Sequence, residues 1–138
     1  MLRIVLDTNV LVSALHFGGE PDEILTLVLQ GDLFMVASKV LLNELSGVLE
    51  KKLSWPPDKI SQTLALLKRR AELVNPKKKL SVAKHEADNR VLECAAEGQA
   101  LCIVFGDKRH LQALKNFQGI PILSPGDFLK KYRTGHWS

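Results

Sequence analysis

The sequence predicts an α/β protein, a three-layer α/β/α sandwich with a central parallel sheet of about five strands. Three observations predict it. Short apolar runs of strand length alternate with longer stretches of helical period along the chain. Glycines, prolines and capping residues stand at the joints between them. Alternation of this kind calls for parallel strands joined by helical crossovers. There is no repeat, no low-complexity tract and no linker, and 138 residues suit one compact domain. The expected division is a domain over residues 1–130 and a short C-terminal tail over 131–138.

Arg3-Ile4-Val5-Leu6 reads as a short buried strand, cut off by Asp7. Asp7-Thr8-Asn9 turns the chain into a short helical stretch over Val10 to Leu15, which Gly18-Gly19 ends. Glu20-Pro21-Asp22-Glu23 opens a second helix, with acids and an early proline suited to a positive N-terminus, and Gly31 closes it. Leu33 to Ala37 is the next strand. Ser38 is a good N-cap for the helix carrying Leu41, Glu44, Leu45 and Val48.

Trp55-Pro56-Pro57-Asp58 breaks the chain before a helix from about Lys59 to Arg70, and Glu72-Leu73-Val74 is a short strand. A helix is expected from Asp88 to Glu97, ended by Gly98, then an apolar strand from Leu101 to Phe105 and a helix from Lys108 to Asn116. Ile120 to Leu123 reads as a strand, with Pro121 suggesting a sheet edge. Ser124-Pro125-Gly126-Asp127 has the form of a capping box with proline at the first helical position, and starts the last helix.

No apolar run approaches the roughly 20 residues that span a bilayer, so an intracellular, cytoplasmic protein without a membrane partner is expected. Cys94 and Cys102 each sit in an apolar run and form no Cys-x-x-Cys pair, which makes them small buried hydrophobes. His16, His85, His110 and His136 lack zinc spacing. The net charge is +4 and the pI near 9.2, a mild basic excess that favours a polyanionic partner. The basic residues come in short runs: Lys51-Lys52, Lys68-Arg69-Arg70, Lys77-Lys78-Lys79, Lys108-Arg109 and Lys130-Lys131. Each run alone is an ordinary solvated face.

In an open parallel sheet, ligands bind beyond the carboxyl ends of the strands. Asp7 and Asp107 stand there, each directly after a strand. Either alone reads equally well as an N-cap. Glu44 shares a helix face with Val40, Leu41 and Val48, so it borders the buried stripe. Asp88 opens the stripe of Val91, Leu92 and Ala95 in the first turn of its helix. Gathered together, these carboxylates repel one another unless a cation balances them. Oxygen-only ligands select Mg²⁺ or Mn²⁺ over zinc, and such an ion serves phosphodiester hydrolysis.

The blocks Val5-Leu6-Asp7-Thr8-Asn9-Val10-Leu11-Val12-Ser13-Ala14, Ser38 to Leu45, Asp88-Asn89-Arg90-Val91-Leu92-Glu93 and Val104-Phe105-Gly106-Asp107-Lys108, in this order, resemble the PIN-domain family. The likeness is to its prokaryotic branch of toxins from toxin–antitoxin pairs, and it extends from Leu2 to Leu129. It implies a parallel sheet in the order 3-2-1-4-5 and Mg²⁺- or Mn²⁺-dependent endoribonuclease activity. By position it implies that Asp7, Glu44, Asp88 and Asp107 are the catalytic acids, with Asp7, Asp88 and Asp107 holding metal. Asn9, Ser38 and Lys108 fall at supporting or substrate-binding positions. RNA and an antitoxin protein are the implied partners, and a homodimer is compatible.

One departure stands out: many relatives carry Ser or Thr two residues before the last aspartate, where this chain has Phe105. Its alternative reading is a catalytically degenerate PIN-like module that binds RNA or protein. An aspartate-nucleophile phosphatase is disfavoured, because Asn9 occupies the place of the second carboxylate that such chemistry uses. Glu86 lies close to Asp88 in sequence, but Asp88 has the spacing to Val91 and Leu92 that fits both the helix face and the family.

Overall fold

The structure is a computed structural model that describes residues 2–83, 85–106 and 116–135. Strand β1, Arg3–Leu6, is followed by helix α1, Thr8–Val12, which continues as a π-helical turn over Ser13–Phe17. Then come α2 (Glu20–Leu29), β2 (Phe34–Ser38), α3 (Lys39–Lys51), α4 (Pro57–Arg70) and β3 (Ala71–Val74). The second half holds α5 (Glu86–Glu97), β4 (Cys102–Val104), β5 (Asn116–Phe117), β6 (Ile120–Leu123) and α6 (Pro125–Thr134). Helix α6 spans the expected boundary at residue 130. Asp107 and Lys108, with the helix expected to start at Lys108, and the tail residues His136 to Ser138 lie outside the described residues.

The sheet has six strands in the order β3-β2-β1-β4-β6-β5. The strands β3-β2-β1-β4-β6 are parallel throughout and reproduce the expected 3-2-1-4-5 order. Two details correct the sequence reading. Asn116 is not the end of a helix but part of β5, which pairs antiparallel with β6. Pro121 therefore lies on a strand with neighbours on both sides, Asn116 standing opposite it. A two-residue partner needs so few ladder bonds that the missing proline N–H is tolerated.

Side chains alternate across the sheet with the period of two that strands impose. Ile4 and Leu6 of β1, Met35 and Ala37 of β2, and Cys102 and Val104 of β4 join one core with α1, α2, α3, α4 and α6. Val5, Val36 and Ile103 face the other side and pack against Val91, Leu92 and Ala95 of α5. Both cysteines are fully buried and their thiols are pushed up to about 12 by that burial, as expected for small hydrophobes. Among the described residues no helix is long and apolar enough to cross a membrane.

Local chemistry sets the ends of the helices as the sequence predicts. Ser38 Oγ accepts from Leu41 N–H at 3.3 Å, and Ser124 Oγ from Asp127 N–H at 3.1 Å. Gly31, with φ of 86°, takes the left-handed turn between α2 and β2. Helix α5 begins two residues earlier than expected because tertiary contacts hold its start. Buried Asn89 accepts from Val82 N–H at 3.0 Å and Ala83 N–H at 2.7 Å, and donates to Ala83 O at 3.3 Å. Glu93 accepts from Leu80 N–H at 2.7 Å and pairs with Arg90 at 2.8 Å. The connector after β3 is thereby clamped along α5.

The far end of α5 sits on the sheet with no room to spare. A Cβ on Gly98 would lie 2.3 Å from Val36 Cγ1 and 3.1 Å from the Cys94 carbonyl oxygen. The Arg3 guanidinium donates to the Gly98 carbonyl at 2.7 and 3.0 Å and also pairs with Glu72 of β3. Gly98→Ala is expected to lower stability by about 1–3 kcal/mol through overpacking. Gly47→Ala, on α3 with open space around its Cα, is expected to raise stability by about 0.5–1 kcal/mol. Urea unfolding of the two variants checks both signs.

Candidate active site at the carboxyl edge of the sheet

Because β1 and β2 run parallel, Asp7 and Ser38 emerge at the same sheet edge. Helix α5 returns antiparallel to the strands in this crossover topology, so its first turn, with Asp88, lies at that edge too. Asp7 is the N-cap of α1, as the cap reading expects. Its Oδ1 accepts from Val10 N–H at 2.8 Å and from Gly106 N–H at 3.4 Å. Gly106 closes tightly over the first turn of α1. A Cβ there would meet Asn9 Cβ at 3.3 Å and Val10 Cγ2 at 3.4 Å. A side chain at 106 would push the N–H away from the carboxylate.

Asp7 is buried, and burial pushes its pKa from the ordinary 3.8 up to about 7. The two backbone N–H groups oppose the rise, while the charges of Asp88 and Glu44 add to it. Glu44 is half-buried on the second turn of α3, and its pKa is also raised. Desolvation is the larger cause. The Thr8 hydroxyl opposes it, the Asp88 charge adds to it and the Lys52 charge opposes it. Asp88 is buried, and its backbone N–H donates to His85 O at 3.0 Å. Asp7, Glu44 and Asp88 thus feel one another's charge at one edge of the sheet.

Other predicted positions are placed differently. Asn9 is exposed beside Gly106. Ser38 is buried and its hydroxyl caps α3 while also approaching the Cys94 thiol, so its oxygen serves the helix end. Glu86 turns outward to Arg90 at 2.7 Å, whereas Asp88 faces the other acids. Val40, expected on the Glu44 face in the buried stripe, is exposed at 51%, while Leu41 and Leu42 of the same turn carry the burial. Phe105 is buried in the core on the α5 side of the sheet, and its N–H donates to Leu123 O at 2.8 Å.

Thr8 was passed over between Asp7 and Asn9. Its Oγ1 is buried and makes no hydrogen bond of ordinary geometry, though it lies close enough to Glu44 to ease its ionisation. A buried hydroxyl left this way costs free energy until a partner arrives. The signal was available in the spacing, since Thr8 shares a helix face with buried Leu11.

Among the described residues no three acidic, histidine or cysteine side chains close a metal site by themselves. The donors that do gather are all oxygens, carboxylates with an unsatisfied hydroxyl beside them. Mutually repelling oxygen donors are the chemistry that a hard divalent cation takes, so the residues present fit such an ion as part of its ligand set.

The raised pKa of Asp7 has a definite sign in stability. The folded protein holds a proton that the unfolded chain releases near pH 3.8, so this contribution is full below that pH and lost as pH rises through about 7. In EDTA, Asp7→Asn keeps the acceptor for Val10 and Gly106 without the charge. It is therefore expected to be more stable than the wild type at pH 8 by roughly 1–4 kcal/mol, with the difference vanishing below pH 4. Chemical unfolding at both pH values checks this. A difference independent of pH contradicts it.

Residues 3–109 match the family described as PIN domain. The chain is 32% identical over 113 residues to the uncharacterized protein MJ1680 of Methanocaldococcus jannaschii, covering 78% of this chain and 72% of that protein. Its fold is similar to a chain of VapBC2 from Rickettsia felis, solved bound to a DNA fragment from its promoter. The TM-score is 0.62 at 17% identity, covering 89% of this chain and 98% of the other. DNA-bound VapBC from Salmonella typhimurium gives a TM-score of 0.59 at 18% identity, covering 91% and 99%. FitAB bound to an IR36 DNA fragment gives 0.57 at 18%, covering 88% and 94%. At these identities the structural likeness is one of fold. The match over most of its length, together with the parallel sheet and the acids at its carboxyl edge, means that this chain belongs to the PIN-domain family.

Proposed function

We propose that this protein is a metal-dependent endoribonuclease that hydrolyses RNA phosphodiester bonds and acts as the toxin of a toxin–antitoxin pair. The observation that carries the nuclease reading is the gathering of Asp7, Glu44 and Asp88 at the carboxyl edge of the sheet in a PIN-domain chain. The toxin reading rests on the sequence resemblance and on the fold shared with chains of VapBC and FitAB assemblies. An antitoxin protein is the partner that follows from it.

In this reading Asp7 and Asp88, with Asp107 after β4, hold Mg²⁺ or Mn²⁺. When bound, the ion activates water and neutralises charge on the scissile phosphate. Asp7 is held by two backbone N–H groups and needs no reorientation as charge develops. Glu44 orients the attacking water and accepts its proton, a task suited to a carboxylate whose pKa is raised towards neutrality. The Thr8 hydroxyl steadies Glu44, and Asn9 lies at the rim. Exposed lysines and arginines such as Lys51-Lys52 and Lys77-Lys78-Lys79 hold the RNA backbone, with Lys108 adding to them beside Asp107. Phe105, the departure that would favour a degenerate module, is core packing on the α5 side, so the geometry adds nothing to that alternative.

Incubation with a mixed-sequence single-stranded RNA and Mn²⁺ is expected to give cleavage that EDTA abolishes. Asp7→Asn is expected to be inactive, and Glu44→Gln to lose about 10²–10⁴-fold in rate, with both proteins folded by circular dichroism. Thr8→Val is expected to lose about tenfold in rate by removing the hydroxyl that eases Glu44 ionisation, and Thr8→Ser to recover it. Cleavage by both acid variants at the wild-type rate overturns the assignment.

A further inference from the structure

Away from the acids, the π-helical turn after α1 presents a second feature. Phe17 is 73% exposed, the most exposed of the large hydrophobic residues among those described. Its ring meets His16 edge-on, with centroids 4.7 Å apart and an interplanar angle of 80°. Beneath them lies buried Trp55, whose indole N–H donates to His16 Nδ1 at 3.1 Å. The Lys59 ammonium stands 3.9 Å from the centre of the Trp55 ring. π-Helical turns of this kind are sparse and concentrate at functional sites.

The arrangement fixes chemistry as well as shape. Because Nδ1 of His16 accepts a hydrogen bond, a neutral imidazole carries its hydrogen on Nε2, on the ring side away from Trp55. An exposed residue thus offers a held ring face, a donor and a neighbouring cation. Two of the three acids in the first turn of α2 are engaged with α6. Glu23 pairs with Arg133 of α6 at 2.8 Å, and Glu20 packs against Gly126 at the start of α6. The chain links the cluster to the acidic site at two points. Lys52, three residues before Trp55, acts on Glu44. Phe17 lies beyond Thr8 by about 13 Å of helical rise, a distance that a few nucleotides of single-stranded RNA span.

We infer that His16, Phe17, Trp55 and Lys59 form a stacking platform that holds an unpaired base of the RNA whose phosphate is cut at the acidic site. This rests on the ribonuclease reading above. Exposed aromatic rings beside cations are what single-stranded nucleic acid takes: bases stack on the rings while phosphates meet the positive charges. A purely apolar protein contact would have no use for the presented imidazole donor and the ammonium.

The test is fluorescence anisotropy of a labelled mixed-sequence single-stranded RNA oligonucleotide in EDTA, where cleavage does not enter. Phe17→Ala is expected to weaken binding by about 5- to 100-fold, and His16→Ala by less. Phe34→Ala removes another exposed aromatic, at the opposite end of β2, and is expected to bind as the wild type does. In Mn²⁺, Phe17→Ala is expected to raise KM with kcat nearly unchanged. Wild-type affinity and KM in Phe17→Ala overturn the inference while leaving the nuclease reading standing. Unchanged RNA binding with an altered sedimentation coefficient assigns the face to a protein contact and overturns it as well. A wild type that neither binds nor cleaves the RNA removes the nuclease reading and the platform together.

Discussion

A carboxylate buried at the end of a buried strand is the constraint around which this protein is arranged. Asp7 follows β1, the strand between β2 and β4 in the middle of the sheet, and is desolvated there. Left alone it would stay protonated through much of the physiological range. Two backbone N–H groups partly offset the cost, and each depends on a different element. The Val10 N–H is supplied by the first turn of α1, and the Gly106 N–H by the chain leaving β4. Gly106 packs closely on Asn9 and Val10, where an added Cβ would need its neighbours to give way.

The other acids depend on the same edge. Ser38 caps α3 at the end of β2, which sets the helix register that half-buries Glu44 beside Thr8. Asp88 is placed by a polar clamp on the other face of the sheet, where Asn89, Arg90 and Glu93 tie the connector after β3 along α5. Each of these devices is a local hydrogen-bonding solution. Together they concentrate negative charge where the strands end, and a divalent cation among oxygen donors relieves that charge.

Much of this was legible because it is written locally. The apolar run Arg3–Leu6, the caps at Ser38 and Ser124, and the stripe of Val91, Leu92 and Ala95 each declare themselves within a few residues. The inward placement of Asp88 and the outward one of Glu86 follow from a core-facing spacing, which is a local property. What escaped depends on contacts distant in sequence. The exposure of Val40 beside buried Leu41 and Leu42 is not readable from the helical period alone. The two-residue β5 has no period to read. The early start of α5 is fixed by the Asn89 clamp, and the His16–Trp55 contact joins residues 39 positions apart.

The acidic edge and the aromatic turn lie at two ends of one helical stretch, Thr8 to Phe17, so in the proposed reading chemistry and substrate contact would share a single element. In the proposed reading Asp7, Glu44 and Asp88 act as one charge cluster that a divalent cation would complete. Its most direct test is the thermal unfolding of the wild type, Asp7→Asn and Asp88→Asn at pH 8, with and without Mn²⁺. Binding to the folded state alone raises the unfolding temperature. A rise of several degrees is expected in the wild type and a much smaller one in either variant. No rise in the wild type, or an equal rise in all three proteins, would contradict it.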